Sequence, residues 1–310
     1  PRRRRREMTH ATAQMPARDL RGVTMVFFAG VLWSTVGLGI RLMEDALVWQ
    51  ILFYRSLSLS VLLYVVIRLR TGQDPFVLAR RTGRAGVIGG LSLVAAYTGG
   101  IHAVQTTSVA NAMLLFATAP FMAAILGRLI LRESVRPATW VAIAVACIGI
   151  GVMVWDKFGA PSALEGNLSA LGSAFGFAVF TVALRWGKAG EMMPAVFLSG
   201  LFAVPIMGAI CLGLGLPLVI GAQDAGLSLG MGVFQVGAGL ILYTIGSKTV
   251  PAVELTLLSL AEVVLGPLWV WLFLGETATP YTLAGGAILL GAIAGNAISG
   301  ARRKPPPPMV

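Results

Sequence analysis

Charge is what this sequence has least of. Asp, Glu, Lys and Arg together make up 12% of its 310 residues, whereas a soluble domain usually carries about 25%. Histidine and cysteine are scarcer still, at two each. His10 lies in the amino-terminal tail, Cys147 and Cys211 lie inside apolar runs, and no His-Glu-x-x-His or Asp-x-x-Asp occurs. A disulfide framework and a zinc site are therefore excluded, and so is the cluster of acids and histidines that a membrane-embedded enzyme would place near one surface. "GSKT" at 246–249 lacks the spacing of a phosphate-cradling loop, which argues against an ATP-driven pump. Four of the 16 prolines stand together in the terminal "RRKPPPPMV", which reads as a solvated tail.

What is abundant is hydrophobic: 56% of the residues, spread evenly along the chain. Ten apolar runs of about 18 to 25 residues are each long enough to span a bilayer. They cover 23–43, 46–67, 85–104, 108–131, 138–155, 167–186, 195–217, 227–247, 250–274 and 281–299, and are called spans one to ten. They do not alternate as β-barrel strands do, and their short connections leave no soluble domain. The first run is too long, and lacks the small-residue cleavage site, for a cleaved signal peptide. The net charge of +11 is placed between the runs rather than on a folded basic face, so no nucleic-acid partner is expected.

Lys and Arg gather on the cytoplasmic side of membrane proteins. With both ends cytoplasmic, every one of the 24 falls inside except Arg41 and Lys157, which fall outside, and Arg55, which lies within span two. Trp49, Trp140, Trp155, Trp186, Trp269 and Trp271 lie near span ends, as an aromatic belt requires, and Trp33 does not.

The chain also repeats itself. "LILRESVRP" (129–137) and "WLFLGETATP" (271–280) each hold Leu, one residue, Glu, three residues and Pro, with Glu133 and Glu276 143 residues apart. Spacings of 143 to 144 also set "VANAMLLFATAP" of span four against "VELTLLSLAEVV" of span nine, and Trp33 and Arg41 against Phe177 and Arg185. The chain is thus two copies of a five-helix unit. Five is odd, so the second copy crosses the membrane in the opposite sense, as in inverted-repeat secondary transporters. Glu133 and Glu276 are expected to anchor helix ends at opposite surfaces.

These residues resemble the EamA-type proteins of the drug/metabolite transporter superfamily. "FLGETATP" with the following "LAGGAILLGAIAGNA", and "LILRESVRP" with "CIGIGVMVW", match the ends of the two repeats; "VLWSTVGLGIRL" (31–42) and "FYRSLSLSVLL" (53–63) resemble the first two spans. The resemblance covers residues 23–300 and implies an all-α integral membrane fold of ten transmembrane helices in two inverted repeats. The division is a basic tail (1–22), a first repeat (23–155), a second (166–299) and a Pro-rich tail (300–310). One departure stands out. The family often has Glu-Pro in span nine, and here Glu262 is followed by Val263, whereas span four keeps Pro120.

Polar groups in a bilayer are costly, roughly 2.5–3.5 kcal/mol for a central charge on insertion scales, so they face protein or water. Glu262 sits midway along span nine, and Glu254 lies eight residues earlier, about 80° away around the helix. Arg55, Gln235 and Asn111 also lie within spans, and His102 lies near the end of span three. Each has a structural reading: ion pair, interhelical hydrogen bond or solvated end. Trp33 and Tyr97 have a packing one. The functional reading places Trp33, Arg55, Tyr97, Phe116, Gln235 and Glu262 around a central substrate pocket, with Glu262 or Glu254 as the coupling group. Burial penalises a charged carboxyl, so such a group can exchange a proton as the pocket changes sides; facilitated diffusion needs none. Gly86/Gly90, Gly172/Gly176 and Gly291/Gly295 have the spacing that lets helices approach, and Pro120, Pro205 and Pro267 can interrupt helices.

The function expected is secondary transport of a small amino acid-like or amphipathic metabolite across the cell inner membrane. A lipid or lipid-linked sugar flippase, whose cavity needs more basic groups than Arg55, and a membrane enzyme are the alternatives. The chain is expected to act as a monomer in membrane lipid on a small-molecule substrate, without cofactor, metal or catalytic residue.

Overall fold

The computed structural model describes residues 20–155, 161–187, 192–250 and 252–301. Nine described helices are long and apolar enough to cross a membrane: Leu20–Arg41, Val48–Thr71, Gly83–Thr106, Val109–Leu131, Pro137–Trp155, Leu164–Trp186, Met193–Gly213, Ala222–Gly246 and Pro280–Gly300. These are spans one to eight and ten. Span nine is the 23-residue helix Ala252–Leu274. Ten crossings bring the first and last spans back to one face, here the terminal face, and the other is the opposite face.

The packing carries the two-fold relation of an inverted repeat. Exchanging each span with its counterpart five places on turns the pair three–six into eight–one and the pair one–nine into six–four, and all four pairs are in contact. Spans two and seven, four and nine, and five and ten are exchanged with each other, and each of these pairs is in contact too. Several of these contacts need glycine. A Cβ at Gly99 would stand 2.8 Å from the Ser169 carbonyl oxygen, and one at Gly149 would stand 2.7 Å from that of Gly285. The sequence spacing of glycines is a poorer guide. Gly86, Gly90 and Gly176 pack against neighbouring spans, whereas Gly172, Gly291 and Gly295 face open space.

The repeated Leu-x-Glu-x-x-x-Pro closes one helix and opens the next. Arg132 and Gly275 both take left-handed backbone, with φ of 57° and 68°. The following glutamate N–H then reaches back six residues, Glu133 to the Gly127 carbonyl (3.3 Å) and Glu276 to that of Val270 (3.2 Å), which ties off the last turn. Pro137 and Pro280 begin spans five and ten, where a missing N–H costs nothing.

Three spans depart from simple rods. Span one breaks between Ser34 and Val36, and span four between Phe116 and Ala119, just before Pro120. Span eight is π-helical over Met231–Ala238. Span nine, without the proline at 263, is one continuous helix that carries Pro267 inside it. Span eight also begins five residues before the apolar run does. Asp224 sits in its first turn, only 3% exposed, because its carboxylate accepts the N–H groups of Glu44 (2.9 Å), Asp45 (3.1 Å) and Ala46 (2.9 Å). Span seven is shorter than expected: Gly215, with φ of 68°, turns the chain after Gly213.

Candidate functional site

The π-helical segment of span eight organises the centre of the molecule. Gly232 lies so close to the Arg55 carbonyl oxygen and the Ser58 hydroxyl that a Cβ there would collide with both. Ser58 Oγ donates to the Leu229 carbonyl at 2.9 Å. Just past the segment, Gly239 leaves room for the Trp33 indole of span one. Spans two and one thus meet successive stretches of one helix. A π turn satisfies its backbone through i→i+5 bonds, and such turns are frequent at functional sites.

Arg55 is 3% exposed and points into the protein. Its guanidinium carbon lies 4.4 Å from the centre of the Tyr97 ring, a cation–π contact. An ion pair or interhelical hydrogen bond was the structural reading of Arg55, but Nε and Nη2 have no hydrogen-bond partner among the described residues. Gln235, 8% exposed, donates from Nε2 to the Trp33 carbonyl at 3.4 Å, and its Oε1 is buried without a partner among the described residues. The Trp33 ring lies 5.3 Å from that of Tyr243.

Glu262 is half-buried on span nine where that helix crosses span one at Gly30, whose Cα faces the Leu258 carbonyl and the Glu262 N–H. No ion pair joins it to Arg55 among the described residues. Phe116 stands at the break in span four with its ring 5.8 Å from that of Phe177. The structure therefore groups Arg55 with Tyr97 and Trp33 with Gln235, joined by span eight, with Glu262 on the next helix and Phe116 in a separate aromatic contact. The side chain of Glu254 lies outside the described residues.

Asn111 is fully buried and serves as interhelical glue. Its Nδ2 donates to Asn167 Oδ1, and its Oδ1 accepts from Thr282 Oγ1 at 3.5 Å. His102 bonds to Glu165 at 3.0 Å near the opposite face.

The two repeated glutamates are joined to the two repeated arginines. Glu276 Oε2 accepts from Arg41 Nε at 2.9 Å, and Glu133 Oε2 accepts from Arg185 Nη1 at 2.6 Å. Each pair links one repeat to the other. The Arg41 clasp is the more elaborate. Glu276 Oε1 also accepts the Val109 N–H (2.7 Å) at the start of span four, and Arg41 Nη2 donates to the Thr107 carbonyl (2.7 Å). The Arg185 clasp adds only a bond to the Ala123 carbonyl, at 3.2 Å. The matching spacings, 143 for the acids and 144 for the arginines, were the sequence signal for these clasps.

The model of the EamA-like transporter family matches the chain twice, over residues 20–155 and 164–298. The chain belongs to the EamA-like transporter family. The two matches are the two halves seen in the packing, so this EamA-like protein is a multi-pass membrane protein of a transporter family. It is similar to "Uncharacterized transporter YwfM" of Bacillus subtilis (strain 168), with 27% identity over 194 residues, 61% of this chain. The match spans 64% of that relative's length. A solved crystal structure of a protein aligns with a TM-score of 0.63 at 21% identity, covering 91% of this EamA-like chain and 99% of the other, a likeness of fold.

Proposed function

We propose that this EamA-like protein is a secondary transporter that moves a small amphipathic, amino acid-like metabolite across the cytoplasmic membrane by alternating access. Both termini face the cytoplasm, as the Lys and Arg distribution favours, and one chain holds both repeats and works as a monomer. Inverted repeats place substrate sites near the bilayer midplane where the halves meet. Here that region gathers Arg55, Tyr97, Trp33 and Gln235 about an irregular stretch of helix. Irregular backbone at membrane depth is tolerated where it is buried in protein or lines a cavity.

The observation that carries the reading is Glu262, a half-buried carboxylate in a spanning helix with no ion-pair partner among the described residues. Such a group can carry a proton between the two sides as the pocket reorients, which couples flux to a pH gradient. Purified protein in liposomes tests the proposal. A screen of radiolabelled amino acids and amphipathic metabolites should find at least one that accumulates when the pH gradient is imposed and equilibrates without it. Uptake of every solute at the rate of empty liposomes would overturn the proposal.

A further inference from the structure

Arg55 is a buried cation whose two unsatisfied donors lie side by side. Nε and Nη2 form one edge of the planar guanidinium, with their N–H bonds parallel, and neither finds an acceptor among the described residues. The residue is 3% exposed, and what lies over its face is the Tyr97 ring, not an anion. A desolvated charge with orphaned donors is costly, and native structures keep one only for a reason. Parallel N–H bonds on a guanidinium edge match the two oxygens of a carboxylate. A third buried group, Gln235 Oε1, is an acceptor without a donor. It belongs to the π-helical segment whose Gly232 abuts the Arg55 backbone.

We propose that the Nε–Nη2 edge of Arg55 receives the carboxylate of the transported molecule, so that the substrate class is small monocarboxylates bearing a hydrogen-bond donor. This rests on the transporter reading above. A neutral sugar would leave the buried charge uncompensated. A phosphate would bring a second negative charge, and the other basic side chains of the described spans lie at or near their ends. A monocarboxylate sets one negative group directly against the guanidinium and satisfies both donors, and an N–H or ammonium group on the same molecule supplies the donor that Gln235 Oε1 lacks.

The test is thermal melting of the purified full chain in detergent with chloride as the background anion. The probes are the twenty amino acids and a set of aliphatic and aromatic monocarboxylates, each beside its primary amide. At least one acid should raise the melting temperature while its amide at equal concentration does not. Arg55→Gln should weaken that acid about ten- to a hundredfold, the effect of losing a charge-assisted pair. Arg55→Lys, a point charge without the fork, should recover only part of the loss. The proposal is overturned if no acid stabilises the protein, if acid and amide stabilise it alike, or if Arg55→Gln binds the acid as the parent does. The acid–amide contrast is read on the unsubstituted protein and stands even where Arg55→Gln does not fold. Liposome flux separates this proposal from the transporter reading. Flux of neutral or cationic solutes without preference for acids removes the carboxylate assignment alone. Acid-selective binding without flux of any solute removes the transporter reading alone.

Discussion

Glu276→Ala and Glu133→Ala remove repeat-equivalent residues, and they should not cost the same. Glu276 and Arg41 are 23% and 28% exposed at their side chains, Glu133 and Arg185 42% and 41%. Deleting the Glu276 carboxylate breaks the pair with Arg41 and strips the Val109 N–H, at a fully buried helix start, of its acceptor. The lost cap is worth about 1 kcal/mol, and a partly buried ion pair adds about 1 kcal/mol more. Deleting the Glu133 carboxylate breaks one screened pair, worth about 0.5 kcal/mol. The difference of about 1.5 kcal/mol corresponds to roughly 3–6 °C in melting temperature at about 2–4 °C per kcal/mol. Tryptophan fluorescence during heating, in one detergent, measures both. A double-mutant cycle of Arg41→Ala with Glu276→Ala should return a coupling of about 1 kcal/mol. Equal shifts for the two glutamates, a larger one for Glu133→Ala, or a cycle that sums to zero would falsify the reading of the two clasps as unequal.

Glu262→Gln keeps shape and hydrogen-bonding reach but does not titrate; it should insert normally, exchange substrate, and lose pH-driven accumulation, and undiminished accumulation would make Glu262 structural. Asp224→Ala leaves three loop N–H groups without their acceptor and should destabilise the fold by about 2–3 kcal/mol, seen as lost monodisperse yield; parent-like yield would remove Asp224 as the anchor of that loop. Gly149→Leu should fail to assemble because its Cβ meets the Gly285 backbone, whereas Gly291→Leu, with nothing within 4 Å, should behave as the parent; equal outcomes would refute the close packing of spans five and ten. In intact cells, an outside maleimide should label Thr277→Cys and not Arg80→Cys, both exposed positions on opposite faces; the reverse pattern would invert the proposed orientation.

The fold was legible because a bilayer makes apolar length nearly sufficient. Runs of about 20 residues locate helices, and the 143-residue echo of Glu133 in Glu276 locates the two-fold relation. The site was legible only in part. Arg55, Gln235 and Glu262 stand out as polar residues at membrane depth. Trp33 and Tyr97 were named beside them, but which residue meets which was not, because contacts between spans depend on helix rotation, which hydropathy leaves undetermined; the pairing of Arg55 with Tyr97 is such a contact. Asp224 lies three residues before the apolar run 227–247 that marks span eight, because a carboxylate interrupts such a run. Three loop N–H groups neutralise that cost, and no local pattern in the sequence announces them. Tyr243, beside Trp33, was missed because one aromatic in an apolar run carries no signal of its own.

Span eight has 25 residues and its counterpart, span three, has 24. A π turn accommodates an additional residue, and in an α-helix one residue is about 100° of rotation. The two halves of span eight are therefore out of phase with each other in a way the two halves of span three are not. Span eight offers glycines to span two over its first half, at Gly232 and Gly237, and to span one over its second, at Gly239 and Gly246, and span three offers Gly90 to span seven and Gly99 to span six without any π turn. Deleting one residue from Met231–Ala238 would restore the phase and turn one of those two glycine faces away from its neighbour. The two-fold relation of the chain is thus broken at the turn that lies beside Arg55, and by an increment no larger than a single codon.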